Sequence, residues 1–575
     1  MNCSKFNIYY SKNNTIDHNF NKLNYILNEE DIDNNYNPFD IEKEQLYNPI
    51  YNLFFSLTDT NYNNISLNHK YHIINLNTVK NIDTRKNTNK EIFFKYSPLI
   101  DPTKYLIGKY TNDDTIYNLP QLNENNSNDK LTNIHNASYI DNFFYYLSDQ
   151  LLHKHKFLNG LEYYGSYLAI QKIFKYNLTD EIEYFDDSSF FHNQLGSLFT
   201  ISNSETNSNK NTRNKKNKIK LSDDNYHNLT CNQLPSIEPN EETPGETNEE
   251  TPGETNEELN LIYEFNNSNT NDDSSCDSDC NYSSSDNNSI TEIDDDEWET
   301  ESSCSENSCS ENSCSENDTY AYIKNYPTQI ICLEKCNDTI DTLFENNLLD
   351  DKLGSAALLQ VIFSLLTFQK AFNFTHNDLH TNNIMFSNTD LEFLYYKYNN
   401  KFYKVPTYGR IFKIIDFGRS IYKYNNITFC SDSFSKEGDA NTQYNCEPFY
   451  DEKKTRIEPN YSFDLCRLGC SIYDFIEEIE DNEDNEESRF IQLKNTINRW
   501  CTDDNNKNIL YKKSGEERYP NFKLYKMIAR NVHNHTPEKQ LEFPFFNQYI
   551  WNENLNIDNI DNIIDIDSIP SYVKN

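Results

Sequence analysis

The first third of the chain places short runs of aromatic and β-branched residues between polar segments. Three of these runs predict strands: NLFFSLTD (52–59), YHIINL (71–76) and EIFFKYSPL (91–99). The stretch ASYIDNFFYYLSDQLL (137–152) instead has apolar residues at helical spacing, and GLEYYGSYLAI (160–170) then predicts a further strand. We therefore expect a β-rich first part that contains one helix.

The second half of the chain is dominated by helical patterns. TQIICLEKC (328–336) predicts a strand that runs into a loop. KLGSAALLQVIFSLLTFQKAF, from Lys352 to Phe372, is apolar on most sides, which is typical of a helix in the middle of a helical core. Together the two halves predict an α+β fold.

A long acidic segment interrupts this pattern at about residues 200–319. From Leu221 to Ile323 the chain has 28 Asp and Glu and no Lys or Arg, so this stretch carries −28 of the net charge of −40. It also contains short repeats, such as SCSENSCSENSCSEN (303–317). With few apolar residues it cannot offset its ordering entropy, so we predict a disordered insertion.

Charge and composition exclude several classes of function. A chain this acidic is poorly suited to nucleic-acid binding, because phosphate contacts need Lys and Arg. The start of the chain does not resemble a signal peptide, and its longest apolar run, ALLQVIFSLLTF (357–368), is too short to cross a bilayer. The 14 cysteines form no CxxC pair. We expect an intracellular, soluble protein without a membrane partner.

Three motifs carry the candidate chemistry, and they follow the long apolar helix in order. The stretch FTHNDLHTNNIMF (374–386) places His376, Asp378 and Asn383 in the pattern H-x-D-L-x-x-x-N. IFKIIDFGRS (411–420) then places the triplet DFG (416–418) at the end of a predicted strand, and SFDLCRLGCSIYDF (462–475) has Asp464 five residues before Gly469 in a predicted helix. This ordered set resembles the protein-kinase superfamily.

The resemblance implies a bilobal fold and a role for each of these residues. Asp416 and Asn383 are oxygen donors that would hold Mg²⁺ against ATP. Asp378 would orient the acceptor hydroxyl and take its proton. The supporting residues implied by the same motifs are His376, Gly418, Asp464 and Gly469.

Upstream residues complete the implied nucleotide site. Lys95 in EIFFKYSPL corresponds to the kinase strand lysine that grips the α- and β-phosphates. Its acidic partner is expected on the following helix, where Asp141 is the first candidate and Asp149 the second. The hinge that pairs with adenine is expected at Leu333, Glu334, Lys335 and Cys336.

The chain departs from the kinase pattern at the phosphate loop. Its first glycine is Gly108, after Lys95, so the usual glycine-rich loop is absent. The segment TDTNYNNIS (58–66) could supply asparagines in left-handed conformations instead. Loss of the loop also leaves open a catalytically inactive pseudokinase scaffold.

Two substitutions inside the loop motif bear on activity and acceptor. Asn377 stands where many kinases have arginine, which leads to the hypothesis that activity does not need phosphorylation of the segment between Asp416 and Asp464. A histidine at this position, His380, resembles the pattern of haspin-type kinases and also that of the choline and aminoglycoside kinases. A small-molecule kinase is therefore an alternative. A zinc site at His376 and His380 would need a helix, which the loop context disfavours.

The whole pattern resembles serine/threonine protein kinases of large amoeba-infecting DNA viruses, over roughly residues 54–551 apart from the acidic segment. This resemblance implies ATP- and Mg²⁺-dependent phosphorylation of protein hydroxyls, in the host cytoplasm or virion. The predicted boundaries are an N-terminal extension (1–50), a small lobe (51–199 and 320–336) around the insertion (200–319), a large lobe (337–555) and a C-terminal tail (556–575).

Overall fold

The computed structural model describes residues 5–12, 31–32, 34–123, 127–179, 181–185, 188–202, 319–482, 490–551 and 562–574. The predicted acidic insertion therefore lies almost entirely outside the described residues. The described strands are β1 Tyr10–Lys12, β2 Ile41–Gln45, β3 Ile65–Leu67, β4 Tyr71–Asn75, β5 Thr78–Asn81, β6 Asn87–Asn89, β7 Ile92–Pro98, β8 Tyr163–Asn177, β9 Phe199–Ile201, β10 Tyr320–Glu334, β11 Asp338–Thr339, β12 Ile384–Asn388, β13 Phe393–Tyr398, β14 Lys401–Pro406, β15 Arg410–Ile414, β16 Ile421–Tyr424, β17 Ile427–Cys430 and β18 Ile563–Asp565.

Helices occur in both parts of the chain and are longer in the second. The described α-helices are α1 Pro102–Leu106, α2 Asp129–Thr132, α3 Ala137–His155, α4 Ile182–Phe185, α5 Ser189–Gln194, α6 Ile340–Glu345, α7 Asp351–Phe372, α8 Phe463–Asn482, α9 Ile491–Trp500, α10 Lys523–Asn531, α11 Pro537–Gln540 and α12 Pro544–Asn547. Short 3₁₀ helices cover Pro49–Leu53, Asp114–Tyr117, Thr381–Asn383, Asp432–Phe434 and Ile566–Ser568. The predicted α+β class is confirmed.

A five-stranded antiparallel sheet carries the first candidate site residue. Its path is β2-β8-β10-β7, with β9 also paired to β10. Lys95 on β7 lies opposite Ile331 on β10. Strands β8 and β10 are neighbours although residues 178–319 separate them in the sequence, which is the arrangement that an insertion between two strands of one sheet produces.

A small sheet of β4, β5 and β6 packs on this larger sheet. Ile73 and Val79 form a buried cluster with Tyr164, Tyr167 and other residues.

The prediction of a strand at 52–59 is wrong. Asn48 caps a 3₁₀ helix that begins at Pro49, and proline at the first helical position favours this start over an extended strand.

Helix α3 lies between β7 and β8 in the sequence and is buried along most of its length. Asn136 caps it by accepting a hydrogen bond from the Ser138 backbone N–H, and Lys156 ends it in a left-handed conformation. Aromatic residues on several sides of the helix are buried, including Tyr139, Phe144 and Tyr145. A helix held on all sides fixes the direction of its polar side chains, and Asp141 is one of them.

Helix α7 is buried along most of its length and belongs to the same apolar cluster as the buried residues of α3. Asp350 caps it, and Asn373 ends it in a left-handed conformation at φ 50°. It is the one described helix that is long and apolar enough to span a membrane, but 94% of its apolar window is buried in the protein. This burial is typical of a core helix.

The chain after α7 returns in short antiparallel strands. In the pair β12–β15, Ile384 lies opposite Ile414, so the segments that precede β12 and follow β15 meet at one end. Strands β13 and β14 form a hairpin, with Asn399 and Asn400 at positive φ in a two-residue turn. Strand β18, near the C-terminus, pairs in parallel with β13.

Helix α8 packs closely against α9 at a glycine. A Cβ atom at Gly469 would lie 2.8 Å from Trp500 Cβ, which is nearer than real Cβ contacts allow. Any larger residue would push α9 away from α8. Because α8 also carries Asp464, this contact helps to fix the helix that holds the loop at 374–386.

Candidate active site

The Lys95 ammonium joins two carboxylates from distant parts of the chain. Its Nζ lies 2.8 Å from Asp141 Oδ2 and 2.7 Å from Asp416 Oδ1. Lys95 comes from strand β7, Asp141 from helix α3, and Asp416 follows strand β15. Asp141 is 1% exposed, whereas Lys95 and Asp416 have side chains about one-fifth exposed, at 20% and 22%. The group therefore reaches solvent on one side only.

The pKa values of the three groups reflect their burial and mutual attraction. Burial raises the pKa of Asp141 to about 6, although the Lys95 ammonium opposes this rise. Burial also acts to raise the pKa of Asp416, but Lys95 outweighs it and holds that pKa below its usual value. For Lys95, burial acts to lower the pKa, and the two carboxylates outweigh it and hold the pKa well above its usual value.

The backbone around Asp416 is held by helix α3. Asp416 has a left-handed φ of 62°, and its N–H donates to Tyr145 Oη at 2.9 Å. The N–H of Phe417 donates to Asp141 Oδ1 at 2.7 Å. The Phe417 ring is fully buried, with its centroid 4.6 Å from that of Phe144 and 4.9 Å from that of Tyr145. One helix thus positions both the Asp416 carboxylate and the aromatic residue that follows it.

A buried carboxylate on α8 holds the loop that carries Asp378. Asp464 Oδ2 and Oδ1 accept hydrogen bonds from the backbone N–H groups of His376 and Asn377, each at 2.9 Å. The His376 ring contacts the Ile415 carbonyl through Nε2 at 2.9 Å. Burial raises the pKa of Asp464. The His376 side chain and the two backbone N–H donors, of His376 and Asn377, oppose this rise. The loop is therefore tied to α8 on one side and to the Asp416 segment on the other.

Asp378 lies among a tyrosine and two arginines. Tyr525 donates from Oη to Asp378 Oδ1 at 2.7 Å, and Arg419 Nη1 lies 3.8 Å from Oδ2. Arg467 donates from Nε to Tyr525 Oη at 2.9 Å. Burial acts to raise the pKa of Asp378, but Arg419, His380 and Arg467 outweigh it and hold that pKa well below its usual range. The carboxylate is therefore ionised at neutral pH.

Asn383 offers an oxygen to the same region. Its Nδ2 donates to the Asp378 carbonyl at 3.0 Å and contacts His380 Nε2 at 3.0 Å. Within the described chain, no group donates a hydrogen bond to the buried Asn383 Oδ1. The Ile415 N–H donates to the Asn383 carbonyl at 3.0 Å, which brings Asn383 next to the segment that carries Asp416.

These donors fit a magnesium ion that also binds a triphosphate. Mg²⁺ is commonly held by one or two protein oxygen ligands together with water and phosphate oxygens. Asp416 and Asn383 provide such oxygens, and the buried Oδ1 of Asn383 accepts no hydrogen bond from the described residues. Among the described residues there is no cluster of three or more His, Cys, Asp and Glu suited to a metal.

The second candidate partner of Lys95 and the zinc pair are not supported by the geometry. Asp149 accepts a hydrogen bond from the Tyr163 N–H at 3.1 Å and lies 3.4 Å from His153 Nε2. His380 has an extended backbone at the start of a 3₁₀ turn, so it does not share a helix with His376. Asp141 is the carboxylate that reaches Lys95.

The predicted hinge residues end strand β10, and part of their backbone is already hydrogen bonded. Leu333 pairs with Phe93 and Tyr163 in the sheet. The N–H of Glu334 donates to the Glu162 carbonyl at 3.0 Å, and that of Lys335 donates to the Glu91 carbonyl at 3.3 Å. The Glu334 carboxylate pairs with Lys413 Nζ at 2.5 Å. Cys336 follows, buried, and adenine contact at this hinge stays a prediction.

The expected phosphate loop of left-handed asparagines is not found at 58–66. Each residue of that segment is described, and none has a positive φ. Asn63 instead uses Oδ1 to accept from the N–H groups of Leu46 and Tyr47, at 2.6 and 3.1 Å. Asn61 Oδ1 likewise accepts from the Thr58 N–H at 2.8 Å. These side chains stabilise the turn itself.

Several site residues were missed by sequence reasoning. They are Tyr145, Arg419, Asp439, Arg467 and Tyr525, which contact Asp378, Asp416 or their immediate partners. Arg419 follows the DFG triplet directly, and that position was a usable signal. Tyr525 lies 147 residues after Asp378, and no motif marks it.

Comparison with known proteins gives partial support for a kinase relationship. No family model matches the chain. Serine/threonine-protein kinase haspin of Mus musculus is 35% identical over 99 residues, which make up 15% of this chain and 13% of haspin. The chain thus matches about 13% of the length of this curated relative. The similarity, together with the site geometry, supports a relation to the protein-kinase-like superfamily and a kinase-like phosphotransfer.

Proposed function

We propose that the chain is a protein kinase that transfers the γ-phosphoryl group of ATP to serine or threonine hydroxyls in a Mg²⁺-dependent reaction. In this proposal the sheet and helix of residues 51–199 and 320–336 form the small lobe. Residues 337–555 form the mainly helical large lobe. The partial similarity to haspin, a serine/threonine-protein kinase, supports this acceptor class.

The observation that carries the proposal is the contact of Lys95 with both Asp141 and Asp416. These groups are 46 and 321 residues away from Lys95 in the sequence, and yet their carboxylates lie 2.8 and 2.7 Å from its ammonium. A lysine held by a helix carboxylate beside a second acidic group is suited to bind phosphate oxygens and a metal together. A lysine that only extended to the surface would not need two carboxylates beside its ammonium group.

Each residue of the site then has a separate role in phosphoryl transfer. Lys95 binds phosphate oxygens, and Asp378 orients the acceptor hydroxyl and takes its proton, since its carboxylate is ionised. Asp416 and Asn383 would hold Mg²⁺, which neutralises charge on the phosphates when it is bound. Asp464 keeps the loop of Asp378 in place through two backbone hydrogen bonds.

The segment between Asp416 and Asp464 supports a protein acceptor over a small molecule. It forms a hairpin, β16–β17, and a 3₁₀ turn at Asp432–Phe434. Asn377, in the loop of Asp378, donates a hydrogen bond to the Arg419 carbonyl of this segment and accepts one from the Tyr444 hydroxyl. A long ordered segment beside Asp378 offers surface for a peptide.

One observation favours the inactive scaffold as a second candidate. The N–H groups of Glu334 and Lys335 donate within the protein, so two of the four predicted hinge positions cannot offer those donors to adenine without rearrangement. A scaffold that does not bind nucleotide would show this pattern.

Acceptor screening tests the proposed function. The purified chain is incubated with γ-labelled ATP and Mg²⁺, in parallel with generic basic and acidic proteins and with a set of amino alcohols and aminoglycosides. Label on serine or threonine of the proteins supports the proposal. Label on the small molecules alone identifies a small-molecule kinase, and no label with any acceptor supports the scaffold.

A further inference from the structure

Tyr525 makes a direct contact with the carboxylate proposed as the catalytic base. Its Oη donates to Asp378 Oδ1 at 2.7 Å, and the residue lies on helix α10, which belongs to none of the motifs above. The tyrosine side chain is half-buried. The bond length falls within the range of a charge-assisted O–H···O⁻ hydrogen bond.

The direction of this hydrogen bond is set by Arg467. Arg467 Nε donates to Tyr525 Oη at 2.9 Å, so the tyrosine oxygen accepts on that side and its own proton points to Asp378. The Arg467 guanidinium carbon also lies 5.1 Å from the Tyr525 ring centroid. Arg467 comes from α8, the same helix that carries Asp464.

The two oxygens of Asp378 therefore have different surroundings. Oδ1 is bonded to Tyr525, whereas Arg419 Nη1 lies 3.8 Å from Oδ2, too far for a hydrogen bond. Arg419 is itself paired with Asp439. A carboxylate fixed through one oxygen cannot rotate freely, and its other oxygen then faces a constant direction.

We propose that Tyr525 is a positioning residue for phosphoryl transfer, which fixes Asp378 through Oδ1 so that Oδ2 receives the acceptor proton. This inference rests on the proposed kinase function. In the step, the acceptor oxygen forms a bond to the γ-phosphorus of ATP, and the bond from that phosphorus to the β–γ bridging oxygen breaks. ADP leaves with the bond's electron pair, and the acceptor's proton passes to Asp378 Oδ2.

Two helices then converge on one carboxylate. Asp464 on α8 holds the backbone of the Asp378 loop, while Arg467 on α8 and Tyr525 on α10 hold the side chain of Asp378. Loss of the tyrosine hydroxyl removes the second constraint and leaves the first intact. Its effect is expected on the rate of transfer more than on binding, because neither ATP nor the acceptor backbone needs that hydroxyl.

The test compares Tyr525→Phe with Tyr511→Phe in the full-length chain. Tyr511 is a matched control, because its hydroxyl also bonds a carboxylate of α8, Asp474 Oδ1 at 3.3 Å, away from Asp378. We expect kcat for a protein acceptor to fall roughly tenfold to a hundredfold in Tyr525→Phe, with the KM values for ATP and acceptor unchanged. Tyr511→Phe is expected to keep the wild-type kcat.

Arg467→Gln and the double variant Arg467→Gln/Tyr525→Phe show whether the arginine acts through the tyrosine. If it does, the double variant loses about as much kcat as Tyr525→Phe alone, so that the two losses are not additive. A purely structural role would instead lower the melting temperature and the fraction of active sites in a single-turnover burst. That result overturns the inference.

The remaining outcomes separate this inference from the proposed function. A Tyr525→Phe variant as active as wild type overturns the positioning role and leaves the kinase function standing. A more active variant also overturns it, because the tyrosine would then compete with the acceptor hydroxyl for Asp378. A wild-type chain that transfers no label overturns the proposed function, and the inference falls with it.

Discussion

The Lys95 ammonium lies 2.8 Å from the Asp141 carboxylate and so joins strand β7 to helix α3. The other oxygen of Asp141 accepts the N–H of Phe417 at 2.7 Å. One carboxylate thus connects the strand, the helix and the segment that carries Asp416. Because Asp141 is buried, removal of Lys95 would leave the charge of Asp141 without compensation, which is far more costly than loss of a surface ion pair.

Neutralisation of Asp141 tests this connection. Asp141→Asn keeps the shape of the side chain but removes its charge, so Lys95 loses one of its two anionic partners. We expect kcat/KM for ATP to fall by roughly tenfold or more, the scale of one lost charge-assisted contact of about 1.5–3 kcal/mol. Steady-state kinetics on the folded variant measure the change.

Asp149→Asn is the matched control, since Asp149 is a buried carboxylate on the same helix whose partners are His153 and Tyr163. We expect it to lose stability but to keep the wild-type kcat/KM for ATP. Equal kinetic losses in the two variants would mean that the charge of Asp141 has no specific role.

Asn383 links the loop of Asp378 to the proposed metal site. Asn383→Ala removes the donor to the Asp378 carbonyl and the buried Oδ1 that accepts no hydrogen bond from the described chain. We expect the Mg²⁺ concentration for half-maximal activity to rise at least about tenfold and kcat to fall, because a metal ligand and a loop contact are both lost. Titration with Mg²⁺ at saturating ATP measures both.

The neighbouring Asn382 provides the control for that titration, because it is exposed and precedes Asn383 directly. Asn382→Ala is expected to keep the wild-type Mg²⁺ dependence. An unchanged Mg²⁺ dependence in Asn383→Ala would show that Asn383 does not bind the metal.

Activity is expected not to require phosphorylation between Asp416 and Asp464. Asn377, where many kinases carry arginine, donates to the Arg419 carbonyl at 3.0 Å and accepts from Tyr444 Oη at 2.9 Å. These neutral hydrogen bonds hold the segment without a phosphate group. Phosphosites are mapped by mass spectrometry and removed by phosphatase or by mutation, and kcat is then compared with that of the untreated chain. A loss of activity on dephosphorylation contradicts the hypothesis.

The stability of the folded chain is expected to fall in mild acid because of a buried histidine pair. The rings of His69 and His72 stack with centroids 3.9 Å apart, and burial lowers the pKa of His72 to about 4. The unfolded chain binds this proton below about pH 6.5, whereas the folded chain does not until about pH 4. Stability is therefore fully present above about pH 6.5 and declines as the pH falls towards 4.

The decline is measurable as the free energy of unfolding by urea at pH 7 and at pH 4.5. For His72 alone the shift corresponds to about 3 kcal/mol over the full interval. His72→Gln is expected to reduce the difference between the two pH values. A variant with the same pH dependence as wild type would assign the acid sensitivity to other groups.

Much of the fold after the acidic segment could be predicted from the sequence, because its signals are local and strong. Helix α7 combines a long apolar pattern with Asp350 as a cap, and the hairpin β13–β14 has asparagines at its turn. Asparagine supplies left-handed positions throughout a chain that has only 12 glycines, as at Asn373, Asn377, Asn399 and Asn400. The same reasoning failed at residues 58–66, where the asparagine side chains hydrogen bond to nearby N–H groups instead.

The candidate site was predictable only as far as its motifs extend. Ordered motifs contain Lys95, Asp378, Asn383 and Asp416, and Asp141 follows from its position on the next helix that the sequence predicts. Tyr525 comes from a distant helix, and its contact with Asp378 depends on how α8 and α10 pack in three dimensions. Pattern reasoning on one sequence has no access to such packing.

The central claim is that Asp416 serves phosphoryl transfer, and label transfer from γ-labelled ATP with Mg²⁺ tests it most directly. The wild-type chain is compared with Asp416→Ala, and melting temperatures check that both are folded. The account predicts transfer to a protein acceptor by the wild type, a loss of at least about a hundredfold in the variant, and a rise of the wild-type melting temperature with Mg·ATP. Equal transfer by both chains, or no transfer and no Mg·ATP stabilisation of the wild type, would contradict it.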